Sequence, residues 1–388
     1  MTLSKKVNRR SFLRTTGAAA IAFPMINMGA YKAFASSEKK YSSKAVDIVN
    51  TTQVVDMLSI MAPFGPMMLS AFSEKPKQSD SLEVTEEQVQ RLLASGIDVF
   101  HPAVGLGADE AAGFVGRMNA YAAQYPEYFQ RIDSVADFDT LKKGKRIGYI
   151  IGIQNSDHFR EVDDVNQYYY MGQRVSQLTY NSRNLIGTGS TDRSDGGLSD
   201  FGVAVVERMN ELGMAVDVSH CGDRTTLDAF EISKKPVLIT HSNVRTLAAG
   251  HVRCKPDEAI KAMGKAGSVM GITGVRNFLS PTDPTTIENV LDHVDYVAKL
   301  VGIEHVGIGS DMDLDGYDDI PEPAYSALKA GYKSTYAFRD KIDAEGFDHP
   351  TRMFDLTEGL IKRGYSDSDI RLVLGQNFKR VLGDIWTA

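Results

Sequence analysis

Gly213-Met214-Ala215-Val216-Asp217-Val218-Ser219-His220 and Pro236-Val237-Leu238-Ile239-Thr240-His241-Ser242 decide how this chain folds. Each is a short apolar run rich in β-branched residues, and each ends in a histidine. Thr225 to Ser233, between them, reads as a helix. Short runs separated by a helix are the mark of buried parallel strands. Parallel strands that close into a barrel present their working residues at their carboxyl ends. Two imidazoles brought to one rim by neighbouring strands point to a divalent metal or a catalytic pair. The plainer alternative is a satisfied polar residue at each strand end. The repeated framing of His220 and His241 favours the chemical reading.

Working outward, the same pattern recurs. Thr52 to Leu58, Gly96 to His101, Arg146 to Gln154 and Gln173 to Tyr180 read as strands before the pair. Gly267 to Val275 and His305 to Asp311 read as strands after it. Arg146 to Gln154 is almost wholly apolar, as a strand buried on both faces should be. Helical spacing of apolar residues predicts helices over 84–95, 111–128, 166–172, 203–212, 257–264 and 287–301, with a helical tail from 351 to 386. Ser199 or Asp200 supplies the N-cap of the 203–212 helix. Eight strands alternating with helices predict an α/β fold, a (β/α)8 TIM barrel in one domain over residues 51–388. Residues 36–50 read as a linker, and Pro63 to Ser81 as a mobile loop over one end of the barrel.

Composition narrows the function. The 388 residues are 43% hydrophobic and 24% charged, ample for one large core, with no apolar run in the body long enough to span a membrane. The first 35 residues differ. Arg9-Arg10, a mild apolar core and Ala33-Phe34-Ala35 are the three parts of a twin-arginine export signal. Export through that route predicts a periplasmic or secreted enzyme. Residues 1–35 hold six basic residues and no acidic ones, so their removal takes the formal charge from −7 to −13. So acidic a protein is a poor partner for nucleic acid. The two cysteines, Cys221 and Cys254, make no disulfide scaffold, although an oxidising compartment would let them pair with each other.

The strand ends offer Asp56, His101, Gln154, Tyr180, His220, His241 and Asp311. Asp311 follows Gly307-Ile308-Gly309-Ser310, whose small side chains leave room beside a carboxylate able to take a proton from water. Asp311, Asp313, Asp315, Gly316 and Glu322 also fall on the spacing of a calcium loop. Such a loop joins two helices, whereas a strand precedes Asp311 and Pro321 interrupts the second helix. Arg253, in His251-Val252-Arg253-Cys254-Lys255-Pro256, either clamps a substrate carboxylate or forms a surface ion pair with Asp257 or Glu258.

With these residues in view, the chain resembles the membrane (renal) dipeptidase family of zinc peptidases. The likeness runs through Gly196-Gly197-Leu198-Ser199-Asp200-Phe201-Gly202, the two histidine strands, His251 to Glu258, His293 to Asp313 and Leu360 to Leu382. The resemblance implies a (β/α)8 barrel with a two-zinc site that hydrolyses dipeptides with a free carboxylate. It implies that His220 and His241 bind one zinc, that Asp311 handles the catalytic proton, and that Arg253 grips the carboxylate. Three positions depart from the family pattern. Leu58 and Ile60 stand where a histidine and an aspartate hold the other zinc, and Gln154 stands where a glutamate bridges the two ions. An amide brings no charge and a single carbonyl oxygen. Tyr180 replaces the substrate-contacting histidine of strand four.

The expectation is therefore a metal-dependent hydrolase of a dipeptide-like amide with a free carboxylate. One Zn²⁺ would sit on His220, His241 and Gln154, with Asp311 catalytic and Arg253 and Tyr180 binding substrate. A repurposed, metal-free relative that binds a small ligand is the alternative, and a homodimer stays open.

Overall fold

The computed structural model describes residues 41–59, 83–105, 107–141 and 143–386. The expected export segment, the 63–81 insertion and Ile60 lie outside the described residues. Ten parallel strand segments run through the described residues: β1 (Val55–Asp56), β2 (Val99–Phe100), β3 (Phe129–Arg131), β4 (Ile147–Tyr149), β5 (Gly152–Ile153), β6 (Val175–Gln177), β7 (Ala215–Asp217), β8 (Ile239–Ser242), β9 (Met270–Ile272) and β10 (Val306–Ile308). Seven of them pair in the order β3-β4-β2-β1-β10-β9-β8, and three in the order β5-β6-β7.

Two features make one barrel of the two sheets. The stretch expected as a single strand over 146–154 bends at Ile150 and Ile151, so that β4 pairs with β2 while β5 pairs with β6. On the far side a parallel bridge from Asp217 to Leu238 joins β7 to β8. The eight-fold alternation holds, with β4 and β5 forming one barrel stave. β3 is an addition that flanks β4; its three residues are too few to carry a readable pattern.

The predicted helices are present, most of them with ends moved by one to four residues, and the Ile287–Val301 helix has its expected bounds. One expectation is corrected and one is refined. The supposed linker carries a helix, Ser43–Thr51, capped by Ser42 and burying Ala45, Ile48 and Val49. The C-terminal tail is three helical pieces after Thr351, namely Arg352–Lys362, Asp367–Arg371 and Asn377–Trp386, with an irregular turn between the last two. The last helix presents Phe378, Val381 and Leu382 to Val55, Val99, Val175, Ala215 and Leu238. Four of these lie in four different strands and Leu238 directly precedes β8, so this helix closes one end of the barrel. No helix among the described residues is long and apolar enough to cross a membrane.

Glycine sets how closely β8, β9 and β10 approach at the other end. A Cβ on Gly271 or on Gly309 would lie 2.0 Å from the Thr240 carbonyl oxygen. The small residues before Asp311 therefore admit the backbone of β8, which carries His241.

The barrel interior also contains a buried ion pair. Asp56 and Arg352 are fully buried and 3.5 Å apart. Asp56 accepts from Ser310 N (2.8 Å) and Ser310 Oγ (2.6 Å), and Arg352 donates to Ser59 Oγ (2.9 Å) and the Asp313 carbonyl (3.0 Å). This pair ties β1 to the loop after β10 and to the Arg352–Lys362 helix. Removing one member of such a pair leaves the other charge without compensation, which costs far more than the pair itself is worth. Arg352→Met is expected to lower unfolding stability by about 3 kcal/mol or more in urea titrations. Asp56→Asn in the same background is expected to recover part of that loss.

Candidate functional site

β7 and β8 place His220 and His241 side by side. Both are buried, and their Nε2 atoms are 2.9 Å apart. What surrounds them decides where their protons are. Asp217 accepts from Ser219 N (3.0 Å), Ser219 Oγ (2.6 Å), Thr240 N (3.0 Å) and Thr240 Oγ1 (2.7 Å). The single hydroxyl proton of Thr240 is thus directed to a carboxylate. Its oxygen faces His241 Nδ1 at 2.8 Å as an acceptor, so Nδ1 is the protonated nitrogen of His241. His220 Nδ1 meets Asn181 Oδ1 at 2.7 Å and donates to it. Both imidazoles therefore turn Nε2 lone pairs toward each other.

Two lone pairs at 2.9 Å repel unless a proton or a cation lies between them. A proton is disfavoured here. Burial holds both imidazoles well below their ordinary pKa, and the positive charge of Arg253 adds to it. A metal ion is what this arrangement suits. Two nitrogens, each fixed by a hydrogen bond on the opposite side of its ring, are a familiar half of a zinc site. The pair offers two nitrogen donors, a partial ligand set for one ion. Among the described residues no group of three or more His, Cys, Asp or Glu stands ready to hold a metal. Leu58 is buried and apolar at the end of β1. Gln154, at the end of β5, donates from Nε2 to the Ala103 carbonyl (2.7 Å).

Asp311 lies beside His220 in the wall of a small cavity of about 30 Å³. Its backbone is left-handed (φ 58°), a conformation that aspartate tolerates better than most residues, and its N–H donates to the Leu58 carbonyl (2.8 Å). Burial pushes its carboxyl up to about 7; Arg253 pulls the value down and Asp56 pushes it up. A carboxyl near 7 is poised to exchange a proton at neutral pH.

Arg253 is not the open clamp expected from the sequence. It is 1% exposed and donates to the carbonyls of Ser219 and of His241 (2.9 Å), with Phe278 beneath it at 5.5 Å. It ties the ends of β7 and β8 together and so positions the two histidines. It makes no surface ion pair either: Asp257 instead accepts from the Tyr296 hydroxyl. Lys255 does related work, donating to the carbonyls of Val218 (2.7 Å) and Cys221 (3.0 Å), and burial brings its pKa down to about 8. Cys221 and Cys254 are both buried free thiols, which corrects the suggested pairing.

Tyr180 does reach the site. Its ring stacks on His220 at 4.4 Å, and its hydroxyl meets that of Tyr332 at 2.9 Å. Tyr332 introduces the part of the site that sequence reasoning missed. Tyr317, Tyr332, Tyr336 and Phe338, from the loop after β10, line the same cavity. Their only signal in the sequence is an excess of aromatic residues between 317 and 338. His101 was noted as a strand end without a role. It is buried, donates from Nδ1 to the Met57 carbonyl (2.7 Å), and its Nε2 finds no partner among the described residues.

Fold and site together describe a metallohydrolase-type barrel, and sequence comparison gives the family. Residues 44–327 match the family "Membrane dipeptidase (Peptidase family M19)", and the chain belongs to that family. A dipeptidase, verJ, from Clonostachys rogersoniana is 34% identical over 245 residues, which is 62% of this chain and 56% of that protein. The chain thus spans about half the length of that curated relative. An amidohydrolase from Pseudomonas aeruginosa superposes with a TM-score of 0.75 at 27% identity, covering 88% of this chain and 99% of its own. The probable dipeptidase PvdM of the same organism gives 0.69 at 19% identity, covering 88% and 97%, and that likeness speaks for the fold alone.

The proton assignment is directly measurable. Histidine ¹⁵N NMR is expected to show His220 and His241 neutral and protonated on Nδ1 at neutral pH and still so at the ordinary imidazole pKa of about 6.5. An Nε2–H signal from His241 would contradict the Asp217–Thr240 relay.

Proposed function

We propose that the chain hydrolyses a small dipeptide-like amide with a single divalent ion held by His220 and His241. The observation that carries this reading is the pair of facing Nε2 atoms, whose protons are directed elsewhere by Asn181 and by the Asp217–Thr240 relay. When bound, such an ion lowers the pKa of a coordinated water and polarises a carbonyl. Gln154 adds a neutral oxygen donor at the same rim. Asp311 takes and returns the proton, and Tyr180 stacks on His220 to orient the substrate beside it. Arg253 holds the two histidine strands in place. The twin-arginine segment puts this activity in the periplasm or outside the cell.

A second reading, a repurposed relative that binds a small ligand without hydrolysing it, is favoured by one observation. The cavity beside His220, at about 30 Å³, is smaller than a dipeptide. Hydrolysis then requires the aromatic loop to move.

Metal analysis of protein purified without chelator, paired with a panel of dipeptides, separates the two. About one ion per chain, lost in His241→Ala, supports the hydrolase; less than about 0.2 per chain with no activation by Zn²⁺ contradicts it. The variant Leu58→His, Ile60→Asp, Gln154→Glu is expected to bind a second ion and to gain activity. The pH profile adds an independent check. Asp311 must be ionised to accept a proton, so kcat/KM is expected to fall about tenfold per unit below the Asp311 pKa and to level off above it. Burial raises that pKa to about 7, and a bound cation beside it brings it lower.

A further inference from the structure

The acidic run after β10 meets a second acidic run in the fold. Asp313, Asp315 and Asp318 lie in the loop that leaves β10, and Asp343 and Asp348 lie in the segment that leads into the Arg352–Lys362 helix. The two are bonded together. Asp318 N donates to Asp343 Oδ2 (2.7 Å), and Ile342 N donates to Asp318 Oδ1 (2.8 Å). The calcium-loop spacing over 311–322 fails as a helix–loop–helix, but part of that run faces oxygen atoms from a distant segment.

Asp343 carries the argument. It is 1% exposed, and its Oδ1 is buried with no hydrogen-bond partner among the described residues. Its Oδ2 and the Asp348 carbonyl oxygen converge on Gly316, 2.6 and 3.0 Å from where a Cβ would sit. Burial pushes the Asp343 carboxyl up to about 8, and the charges of Asp318, Asp313 and Asp348 push the same way, against one hydrogen bond from Asp318 N. The neighbouring cations are engaged elsewhere. Arg352 draws Asp313 down, yet its guanidinium bonds Asp56, Ser59 and the carbonyls of Asp313 and Leu314. Arg91 pairs with Asp315. Among the described residues no ion pair reaches Asp313, Asp318, Asp343 or Asp348. A buried carboxylate oxygen without a donor, set among like charges, is costly until a cation neutralises it.

We propose that this cluster is a calcium site that pins the two ends of the aromatic loop. Every donor it offers is oxygen. Calcium takes roughly six to eight oxygens from carboxylates, carbonyls and water in a flexible geometry. The carboxylates alone do not close a ligand set, so backbone oxygens and water complete one around Asp343. Zinc favours nitrogen and sulfur, and magnesium demands a near-ideal octahedron, so neither suits this set. Tyr332, Tyr336 and Phe338 lie between Asp318 and Asp343 in the chain and wall the cavity beside His220. An ion at the base of this loop fixes where that wall begins and ends. The site is separate from the histidine pair and does not depend on that pair holding a metal.

Terbium and calcium are the probes. Terbium occupies calcium sites and luminesces when a nearby tyrosine passes it energy. Tyr317 lies beside the cluster in the chain, and the Tyr325 hydroxyl donates to Asp318 Oδ1 (2.7 Å). Titrated into the full chain, terbium is expected to give a saturable signal that calcium displaces with a Kd of about 0.1–1 mM, and magnesium at least about tenfold more weakly. Calcium at about 10 mM is expected to raise the wild-type Tm by about 2–4 °C. Asp343→Asn keeps the shape of the side chain and removes its charge. It is expected to weaken calcium at least about tenfold and to lose the rise in Tm. If Asp343→Asn does not fold, Asp348→Asn takes its place with the same expectation. His241→Ala is expected to bind calcium as wild type does.

No saturable terbium signal, an Asp343→Asn variant that binds calcium as wild type, or calcium binding lost in His241→Ala overturns the site. Magnesium binding as tightly as calcium overturns the choice of ion.

Discussion

One buried carboxylate, Asp217, governs both the barrel seam and the chemistry above it. It sits at the end of β7, where the parallel bridge to Leu238 joins the two sheets. Its four hydrogen bonds reach Ser219 on its own strand and Thr240 on the next. Four donors offset the cost of burying the charge. The same bonds fix the hydroxyl of Thr240, and through it the proton of His241. Arg253 and Lys255 then satisfy the carbonyls that β7 and β8 leave open at their ends. A change at this seam alters the register of the strands and the state of the histidines together.

Across the barrel mouth, the far side of the same rim has gone another way. Asp56 turns inward to Ser310 and Arg352 and makes the structure rigid instead of presenting a charge at the surface. Leu58 beyond it is buried and apolar. The site is thus asymmetric: two nitrogens with settled protons on one side, hydrocarbon on the other, and a partly neutral carboxyl at Asp311 between. The aromatic loop after β10 covers this arrangement. Its rings wall the cavity beside His220 and Asp311.

Much of this was legible in the sequence because it depends on local pattern. Apolar runs of three to five residues mark strands wherever a helix follows, and the barrel emerged from their alternation. His220, His241 and Asp311 were legible because each ends such a run. What escaped depends on contacts between distant segments. The bend that splits 146–154 into β4 and β5 is invisible in a uniformly apolar stretch. Arg253 read as a clamp because spacing gives its place near the rim; only the carbonyls of Ser219 and His241 reveal that it faces inward. The Thr240 relay follows from the pairing of β7 with β8, and the aromatic wall of the cavity from a loop with no periodic signal.

The central claim is that the family's two-metal site survives here as one half, built on His220 and His241. Anomalous-scattering crystallography at the zinc edge, on protein purified without chelator, tests it most directly. The account predicts a single peak bonded to Nε2 of both histidines, with none beside Leu58. Two peaks, or one peak away from the histidine pair, would contradict it.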